Sequence, residues 1–316
     1  MRDIPALEFS MRGFLVPFVC FFIFPSYLLA AELWLRESLV KKHAKDILVT
    51  IRAIPDHIGK RARPIKTGCD LDVPLRSEDI TVPTIGRIQN ACSYPGGVTP
   101  DYWSKKLMTL EGQSMEVEGV LRIWLEHPPK GGKKQCECDE LPRYANSNPD
   151  HMVELHPLTR LGSASFLPMT REIQKDGTPY VSNLGGKLPS TLGRKKIAVR
   201  RVNREGEAYI AIKGPRTGYS HWTILAVVMS IAERRRGGHA FDVAVIHRDG
   251  FMKRNLSALT IEGTPADDGV ETLQVNDEVV LFGIVRLDLA LIERKAGQAW
   301  RTIPMPYELI VLDIMR

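Results

Sequence analysis

Four short apolar blocks occur in the same order in both halves of the chain, and this repeat constrains the fold more than any other feature. The matched pairs are ILVTIRAI (47–54) with ILAVVMSI (224–231), CDLDVPLR (69–76) with FDVAVIHR (241–248), GVLRIWL (119–125) with GIVRLDL (283–289), and HMVELHPL (151–158) with MPYELIVL (305–312). Each match is weak alone, but four matches in one order predict a tandem duplication.

Every block has the character of a β-strand, since it is short and rich in valine, isoleucine and leucine. Several blocks alternate, so that Arg122 and Trp124 share one face of their strand. Gly119 and Gly283 begin equivalent strands, and a glycine there permits a bulge or sharp bend of the kind that small barrels use.

The first copy contains two further elements. TIGRIQNA (84–91) reads as another strand, and PDYWSKKLMTLEG (100–112) reads as a helix that ends at Gly112. The resulting order of strand, strand, strand, helix, strand, strand is that of an OB-fold, a small Greek-key barrel. In the second copy NLSALTIEG (255–263) is the candidate helix.

These patterns predict an all-β protein with two tandem OB-like barrels, at residues 45–165 and 222–316. Residues 166–221 would connect them. Within this connector KIAVRRV and AYIAIKG flank NREGE, which predicts a β-hairpin that serves as a linker or as an extra ribbon packed on one barrel.

The N-terminal residues have the pattern of an export signal. Residues 14–31 carry no charge, follow Arg12, and end in Ala30 and Ala31. This arrangement predicts a signal peptide over residues 1–31, and the alternative is an inner-membrane anchor formed by residues 14–31. Either one places the remainder outside the cytoplasm, in the periplasm or the extracellular space.

Four cysteines lie beyond the signal segment, an even number that favours disulfides in an exported protein. Cys69 opens the second strand and Cys92 follows the third. If those strands pair in antiparallel fashion, the two cysteines lie side by side, and we predict a bridge between them.

Cys136 and Cys138 lie in a polar loop, and three interpretations of them are open. They would bind a soft metal together with Asp139 or His127, form a strained bridge with each other, or act as a labile redox pair. Their spacing does not match the usual structural zinc patterns.

The net charge is +6, and its basic residues cluster in GKRARPIK (59–66), GRKKIAVRR (193–201) and ERRR (233–236). Such clusters either attract a polyanion or form solvated loops. The chain has no phosphate-loop spacing, no G-x-S-x-G and no H-E-x-x-H, so we predict neither a nucleotide cofactor nor a serine nucleophile.

HMVELHP (151–157) is the stretch richest in chemical groups. Strand alternation places Glu154 and His156 on one face, about 7 Å apart, and His151 on the other. With Asp70 or Asp72 from the second strand, they would form a cluster that could hold a divalent ion or act as general acid and base.

The alternative role of Glu154 is structural. Glu308 preserves this glutamate in a copy that lacks the histidines, which indicates a buried ion pair with Arg122, and with Arg286 in the second copy.

Asp72 and His156 have no acidic or imidazole counterparts, since Ala244 and Ile310 occupy the matching positions. If the first copy alone has a site, the pair Asp72 and His156 would mark it.

Two of these regions resemble a group of exported bacterial proteins of unassigned activity. In that group a D-x-D/H strand precedes a strand that ends in cysteine, a later G-V strand ends in histidine, and the last strand carries E-L-H-P. The resemblance covers about residues 45–165 and implies a small β-barrel domain and export, without implying a reaction. The matching positions are Asp70, Asp72, Cys92, Gly119, His127, Glu154, His156 and Pro157.

We expect a non-catalytic exported binding or scaffold module whose partner is a polyanion, such as nucleic acid, acidic glycan or anionic lipid. Such a module requires no cofactor. Aromatic residues make up only 7% of the chain, which argues against base stacking unless Trp124 is exposed. The alternative is a divalent-metal-dependent phosphodiester hydrolase with a single site in the first copy. Its candidate residues are Asp70, Asp72, Glu154 and His156.

Overall fold

The structure is a computed structural model that describes most of the chain from Ala31 onward. The described residues are 31–65, 68–141, 143–171, 174–175, 178–179, 195–218, 221–246 and 252–316. The predicted signal segment therefore lies almost entirely outside the described residues. Within them, no helix has the length and apolar character needed to cross a bilayer.

The protein is mostly β, as predicted, with 47% strand against 14% helix. The strands are β1 (Ala31–Arg36), β2 (Val49–Pro55), β3 (Leu71–Ser77), β4 (Thr84–Ile88), β5 (Met115–His127), β6 (Gln135–Cys136), β7 (His151–Leu161), β8 (Ala164–Ser165), β9 (Gln174–Lys175), β10 (Thr178–Pro179), β11 (Lys196–Arg204), β12 (Glu207–Gly214), β13 (His221–Val228), β14 (Glu233–Arg235), β15 (Gly238–Ile246), β16 (Met252–Leu259), β17 (Glu278–Leu287), β18 (Arg301–Pro304) and β19 (Tyr307–Met315). The α-helices are α1 (Glu37–His43), α2 (Tyr102–Leu107), α3 (Pro265–Val270) and α4 (Leu289–Lys295).

Strands β2, β3, β4, β7 and β5 form a closed sheet, the first barrel. Strand β2 pairs with both β3 and β5, and the sheet closes through a parallel pairing of β4 with β7. This is the strand order of an OB-fold. The predicted helix between β4 and β5 is present as α2, which buries Trp103 and Leu107 against the core.

Strands β13, β15, β16, β19 and β17 pair in the same order and form the second barrel, again with one parallel pairing, between β16 and β19. The helix prediction for residues 255–263 is wrong. Residues 255–259 of that segment belong to β16. The helix of this copy is α3, which begins at Pro265, just beyond the predicted segment. Proline at the first helical position, followed by Asp267 and Asp268 in the first turn, was the sequence signal for this helix.

The predicted hairpin is present, with β11 and β12 joined by a two-residue turn at Glu205 and Gly206, which both have positive φ. It is more than a connector, because it forms the middle of a five-stranded sheet, the bridging sheet, in the order β18-β11-β12-β1-β6. Strand β6 comes from the loop between β5 and β7 of the first barrel. Strand β18 comes from the corresponding loop of the second.

Two disulfides are present. Cys69 and Cys92 are bonded, with Cα atoms 5.0 Å apart, which is the pairing expected from the antiparallel contact of β3 with β4. Cys136 and Cys138 are also bonded to each other.

Gly119 and Gly283 lie at register shifts in β5 and β17, so the predicted bulges are confirmed. A methyl group at Gly119 would lie 2.8 Å from the backbone oxygen of Pro157, and one at Gly283 would lie 2.4 Å from that of Ile310. Each glycine therefore lets the last strand of its barrel cross close to the bulged strand.

We predict that Gly283→Ala lowers the free energy of unfolding by about 1–3 kcal/mol, because backbone must move to accommodate the methyl group. The matched control is Gly96→Ala, since nothing lies within 4 Å of a methyl group at that exposed turn. Urea unfolding of both variants measures the difference. Equal midpoints for the two variants would contradict the close crossing.

Candidate binding cleft and buried charge network

Glu154 is the centre of a buried charge network in the first barrel. Its side chain is 2% exposed, and its carboxylate pairs with Arg122 and lies 3.0 Å from the Arg87 guanidinium. The rings of His151 and His156 contact the same carboxylate, at 3.0 and 3.3 Å. Burial raises the pKa of Glu154, but the two guanidinium groups outweigh it and hold that pKa well below its ordinary value.

The alternation argument was right for Glu154 and His156 and wrong for His151, which joins the same cluster. The register between β5 and β7 is irregular from Ile123 to His127, where His127 faces His151. The His151 ring nevertheless lies 3.0 Å from the Glu154 carboxylate.

The second barrel contains an equivalent pair, in which Arg286 donates to Glu308 at 2.9 Å. These two ion pairs are the ones expected from the sequence. The arginines also cross between the barrels. Arg122 donates to the carbonyl oxygen of Val285 at 2.7 Å, and Arg286 donates to that of Leu121 at 3.2 Å.

The aspartates of β3 have different partners. Asp72 lies 2.5 Å from Arg63 and 3.6 Å from Arg87, which is its cross-strand neighbour on β4. Asp70 lies 4.0 Å from His156, and burial raises its pKa to about 7. The acidic neighbours of His156 within 4 Å are thus Glu154 and Asp70, rather than the predicted Asp72.

Arg87 and Arg63 were missed by the sequence reasoning, although Arg87 had a signal. It is a charged residue in the middle of a fully buried strand, opposite an aspartate, and a buried charge requires a partner. His221 of β13 was also missed, and its ring lies 5.7 Å from that of His156.

The arginines occupy the positions that a metal ion would need. A divalent cation at Glu154 and Asp72 would have to displace the guanidinium groups of Arg87, Arg122 and Arg63. Within the described residues, the group with metal-ligand spacing is Cys136, Cys138 and Asp139. Its two sulfurs are joined in a disulfide, so neither is a free thiolate ligand. The metal-dependent hydrolase stays a prediction.

A cleft of about 610 Å³ opens above this network. It is lined by residues 57–61 and 145–147, by Asp72, by Ser104 of helix α2, and by Met108 and Glu111 beyond the end of that helix. Lys60 and Arg61 are exposed on its rim. Neither has an ion-pair partner among the residues that the structure describes.

A second cleft, of about 650 Å³, adjoins the first and shares Ala145 and Asn146 with it. It is lined by the loop between β5 and β7, which also carries acidic residues at 139, 140 and 150. We define the basic cleft surface as the exposed cations of both clefts: Lys60, Arg61, Lys130, Lys133, Lys134 and Arg143.

Several cations of the other two basic clusters already have partners within the protein. Arg201 binds Glu37 and Glu293, and Arg200 stacks over the Trp300 ring with its guanidinium carbon 4.5 Å from the centroid. In the 233–236 cluster, Arg234 pairs with Glu262 and Arg236 with Asp46. Residues 193 and 194 lie outside the described residues.

The aromatic side chains do not form a stacking platform at either cleft. Trp124 is 2% exposed, and its indole donates to the carbonyl oxygen of Gly218 at 3.0 Å, so it belongs to the core. Among the described lining residues, the one Phe, Tyr or Trp is Tyr144, which is buried and donates its hydroxyl hydrogen to the Leu75 carbonyl oxygen. The clefts are therefore suited to recognition by charge rather than by base stacking.

No protein-family model matches the chain, and no curated protein matches it either. A solved structure with weak similarity is a deletion mutant of the single-stranded DNA binding protein from Thermus aquaticus. It has 11% sequence identity and a TM-score of 0.23, and the match covers 85% of this chain and 93% of that one. The OB-like assignment rests on the strand order of the first barrel.

We predict that Glu154→Gln lowers the free energy of unfolding by about 3–5 kcal/mol, because it removes the negative charge that two buried arginines share. The control is Glu116→Gln, since Glu116 is 66% exposed and pairs with Arg160 at 3.5 Å. Such a surface pair contributes about 0–1 kcal/mol. Urea unfolding measures the free energy of unfolding of both variants. Similar decreases in the two would show that the buried network contributes no more to stability than a surface ion pair.

We predict opposite pH effects from two neighbours in this network. Burial lowers the pKa of His156 to about 3, so below its ordinary value of 6.5 the unfolded chain binds a proton that the folded chain does not, and stability falls as the pH falls. Burial raises the pKa of Asp70 from 3.8 to about 7, so between these values the folded chain holds the extra proton, and stability falls as the pH rises.

The measurement is the free energy of unfolding between about pH 4 and pH 7. His156→Asn should make stability rise less steeply with pH than in the wild type, and Asp70→Asn should make it rise more steeply. Changes of the same sign in both variants would contradict the assignment.

Proposed function

We propose that the protein is a non-catalytic binding module for a polyanion, which it holds at the basic cleft surface. The observation that carries this proposal is that two adjoining clefts are both lined by exposed cations, Lys60 and Arg61 in one and Lys130, Lys133 and Arg143 in the other. These loops join the first strand of the barrel to the second, and the fourth to the fifth. They flank the face on which OB-folds bind extended polymers.

Charge is the main basis of recognition in this proposal. The cations on the rim have no acidic partner among the described residues, so a phosphate, sulfate or carboxylate polymer can pair with them without breaking an internal ion pair. Base stacking has no support, since Tyr144 is buried. Binding should therefore weaken steeply with salt, as expected when counterions are released.

A binding role fits the buried network better than a catalytic one. Glu154 and His156 are at most 2% exposed on their side chains, and guanidinium groups neutralise the glutamate. An acid or base must reach a substrate proton, either directly or through one water. Among the four sequence candidates, Asp72 is the one that lines the open cleft, and Arg63 pairs with it.

We also infer that the two barrels arose by tandem duplication, so that the second acts as a scaffold. The shared strand order, the glycine bulges at Gly119 and Gly283, and the two buried arginine–glutamate pairs support this inference. The disulfides support an oxidising compartment, which agrees with an exported protein that carries a signal or anchor in residues 1–31.

The test compares two triple variants with the same change in net charge. One carries Lys60→Gln, Arg61→Gln and Lys133→Gln in the basic cleft surface. The control carries Lys41→Gln, Arg234→Gln and Arg294→Gln, which are exposed elsewhere. Fluorescence anisotropy measures their binding to a labelled acidic polysaccharide and to a labelled single-stranded oligonucleotide over a range of salt concentrations.

We predict that the cleft variant loses affinity and that the slope of log affinity against log salt falls by about three, one for each lost contact. The control variant should keep both the affinity and the slope. If both variants lost the same affinity, binding would depend on net charge alone, and the proposed site would be wrong. Preference for one of the two polymers would identify the class of ligand.

A further inference from the structure

The Cys136–Cys138 disulfide lies at the edge of the bridging sheet, where β6 pairs with β1, and Cys136 also lines the larger cleft. Cys136 is 3% exposed, and Cys138 is half-buried. The two cysteines are only 2 positions apart in sequence, against 23 for Cys69 and Cys92. A bridge that closes so short a loop restricts the unfolded chain little, so it contributes little to stability through chain entropy.

Each sulfur of this bridge has a hydrogen-bond donor aimed at it. The Arg204 guanidinium lies 2.8 Å from the sulfur of Cys138, and the backbone N–H of Cys138 lies 3.1 Å from the sulfur of Cys136. A neighbouring cation or N–H group stabilises a thiolate relative to a thiol. When the disulfide opens, each sulfur therefore has a donor that stabilises its thiolate. The Asp139 carboxylate lies 3.6 Å from the sulfur of Cys138 and opposes this effect, and Arg204 lies 3.8 Å from the same carboxylate.

The cleft gives a partner peptide room beside the bridge, next to Cys136 and Asp139. It holds about 650 Å³, and Cys136 and Asp139 lie on its wall with Lys133 and Lys134 nearby. A peptide segment fits in such a space, and the lysines favour one with negative charge.

We propose that Cys136 and Cys138 form a thiol–disulfide exchange centre, whose substrate is a dithiol carried by a peptide or protein. A substrate thiolate attacks the sulfur of Cys138, the more accessible of the two. The disulfide breaks, and its electron pair leaves on Cys136 as a thiolate that accepts the Cys138 N–H. The mixed disulfide then joins the substrate to Cys138.

In the second step the other substrate thiolate attacks the substrate sulfur of the mixed disulfide. This forms the substrate disulfide and releases Cys138 as a thiolate beside Arg204. In total the substrate loses two electrons and two protons, and the cysteine pair gains them. The exchange is stoichiometric and runs in either direction according to the redox poise of the surroundings. It does not depend on polyanion binding.

The first test exposes the full-length protein to reduced glutathione and follows each disulfide by alkylation and peptide mass mapping. We expect Cys136–Cys138 to open at least about ten times faster than Cys69–Cys92. Cys69–Cys92 serves as the internal control, since Cys69 has no exposed surface and Cys92 is half-buried like Cys138. If Cys69–Cys92 opened first or at the same rate, Cys136–Cys138 would be a structural bridge and the proposal would be wrong.

The second test uses single variants to assign the sulfurs. Cys136→Ser leaves the accessible Cys138 thiol, which should form a mixed disulfide with oxidised glutathione. Cys138→Ser leaves the buried Cys136 thiol, which should react more slowly. The reverse order would overturn the assignment of the attacked sulfur.

Arg204→Gln tests the guanidinium in otherwise unchanged protein. We expect the opening of Cys136–Cys138 to slow by about threefold to tenfold. The control is Arg216→Gln, because Arg216 donates to the backbone oxygen of Glu126 and to neither sulfur. Thermal melting of both variants shows whether the fold is intact. Equal rates in the two variants would remove Arg204 from the mechanism.

Discussion

The structure depends most on two buried arginines that each serve both barrels. Arg122 and Arg286 neutralise a glutamate on their own barrel and donate to a backbone oxygen on the other. A buried guanidinium must find several acceptors, because leaving one without a partner costs far more than the pairing gains. These contacts therefore fix how β5 and β17 pack against each other. In the first barrel, the pair of Arg122 with Glu154 also sets the charge of the interior.

Local patterns predicted the parts of the fold that local patterns determine. The third and fourth repeated blocks, the hairpin around NREGE and the bulges at Gly119 and Gly283 follow from residue type and spacing alone. The predicted alignment of the first block is wrong by four residues, because Ala53 is equivalent to Ala226, which pairs with β17 as Ala53 pairs with β5. The bridging sheet could not be predicted in this way, because β6 has 2 residues and β18 has 4, which is too few to show a periodic pattern. In the network, the sequence supplied the acids and imidazoles but not Arg87, since pairing across β3 and β4 depends on a register that spacing does not reveal.

The two barrels have the same strand order, and they differ in the side chains that surround the glutamate of the last strand. Glu154 has two guanidinium groups and two imidazole rings around it, while Glu308 pairs with Arg286. Burial raises the pKa of Glu308, in contrast to the lowered pKa of Glu154. The same strand position is therefore firmly ionised in the first barrel and less so in the second. Both sites lie next to open clefts, which are lined by Asp72 in the first barrel and by Glu308 and Asp288 in the second.

The composition of the bridging sheet has a consequence for how the chain folds. Its order joins β1 near the start of the described chain to β12, and β11 to β18 near the end. During synthesis β1 leaves the ribosome long before its partner β12, so its apolar face stays exposed to solvent while the first barrel folds. Contacts so distant in sequence form late and slowly. We therefore expect the sheet that joins the two barrels to assemble late, with the apolar face of β1 open to mispairing until it does.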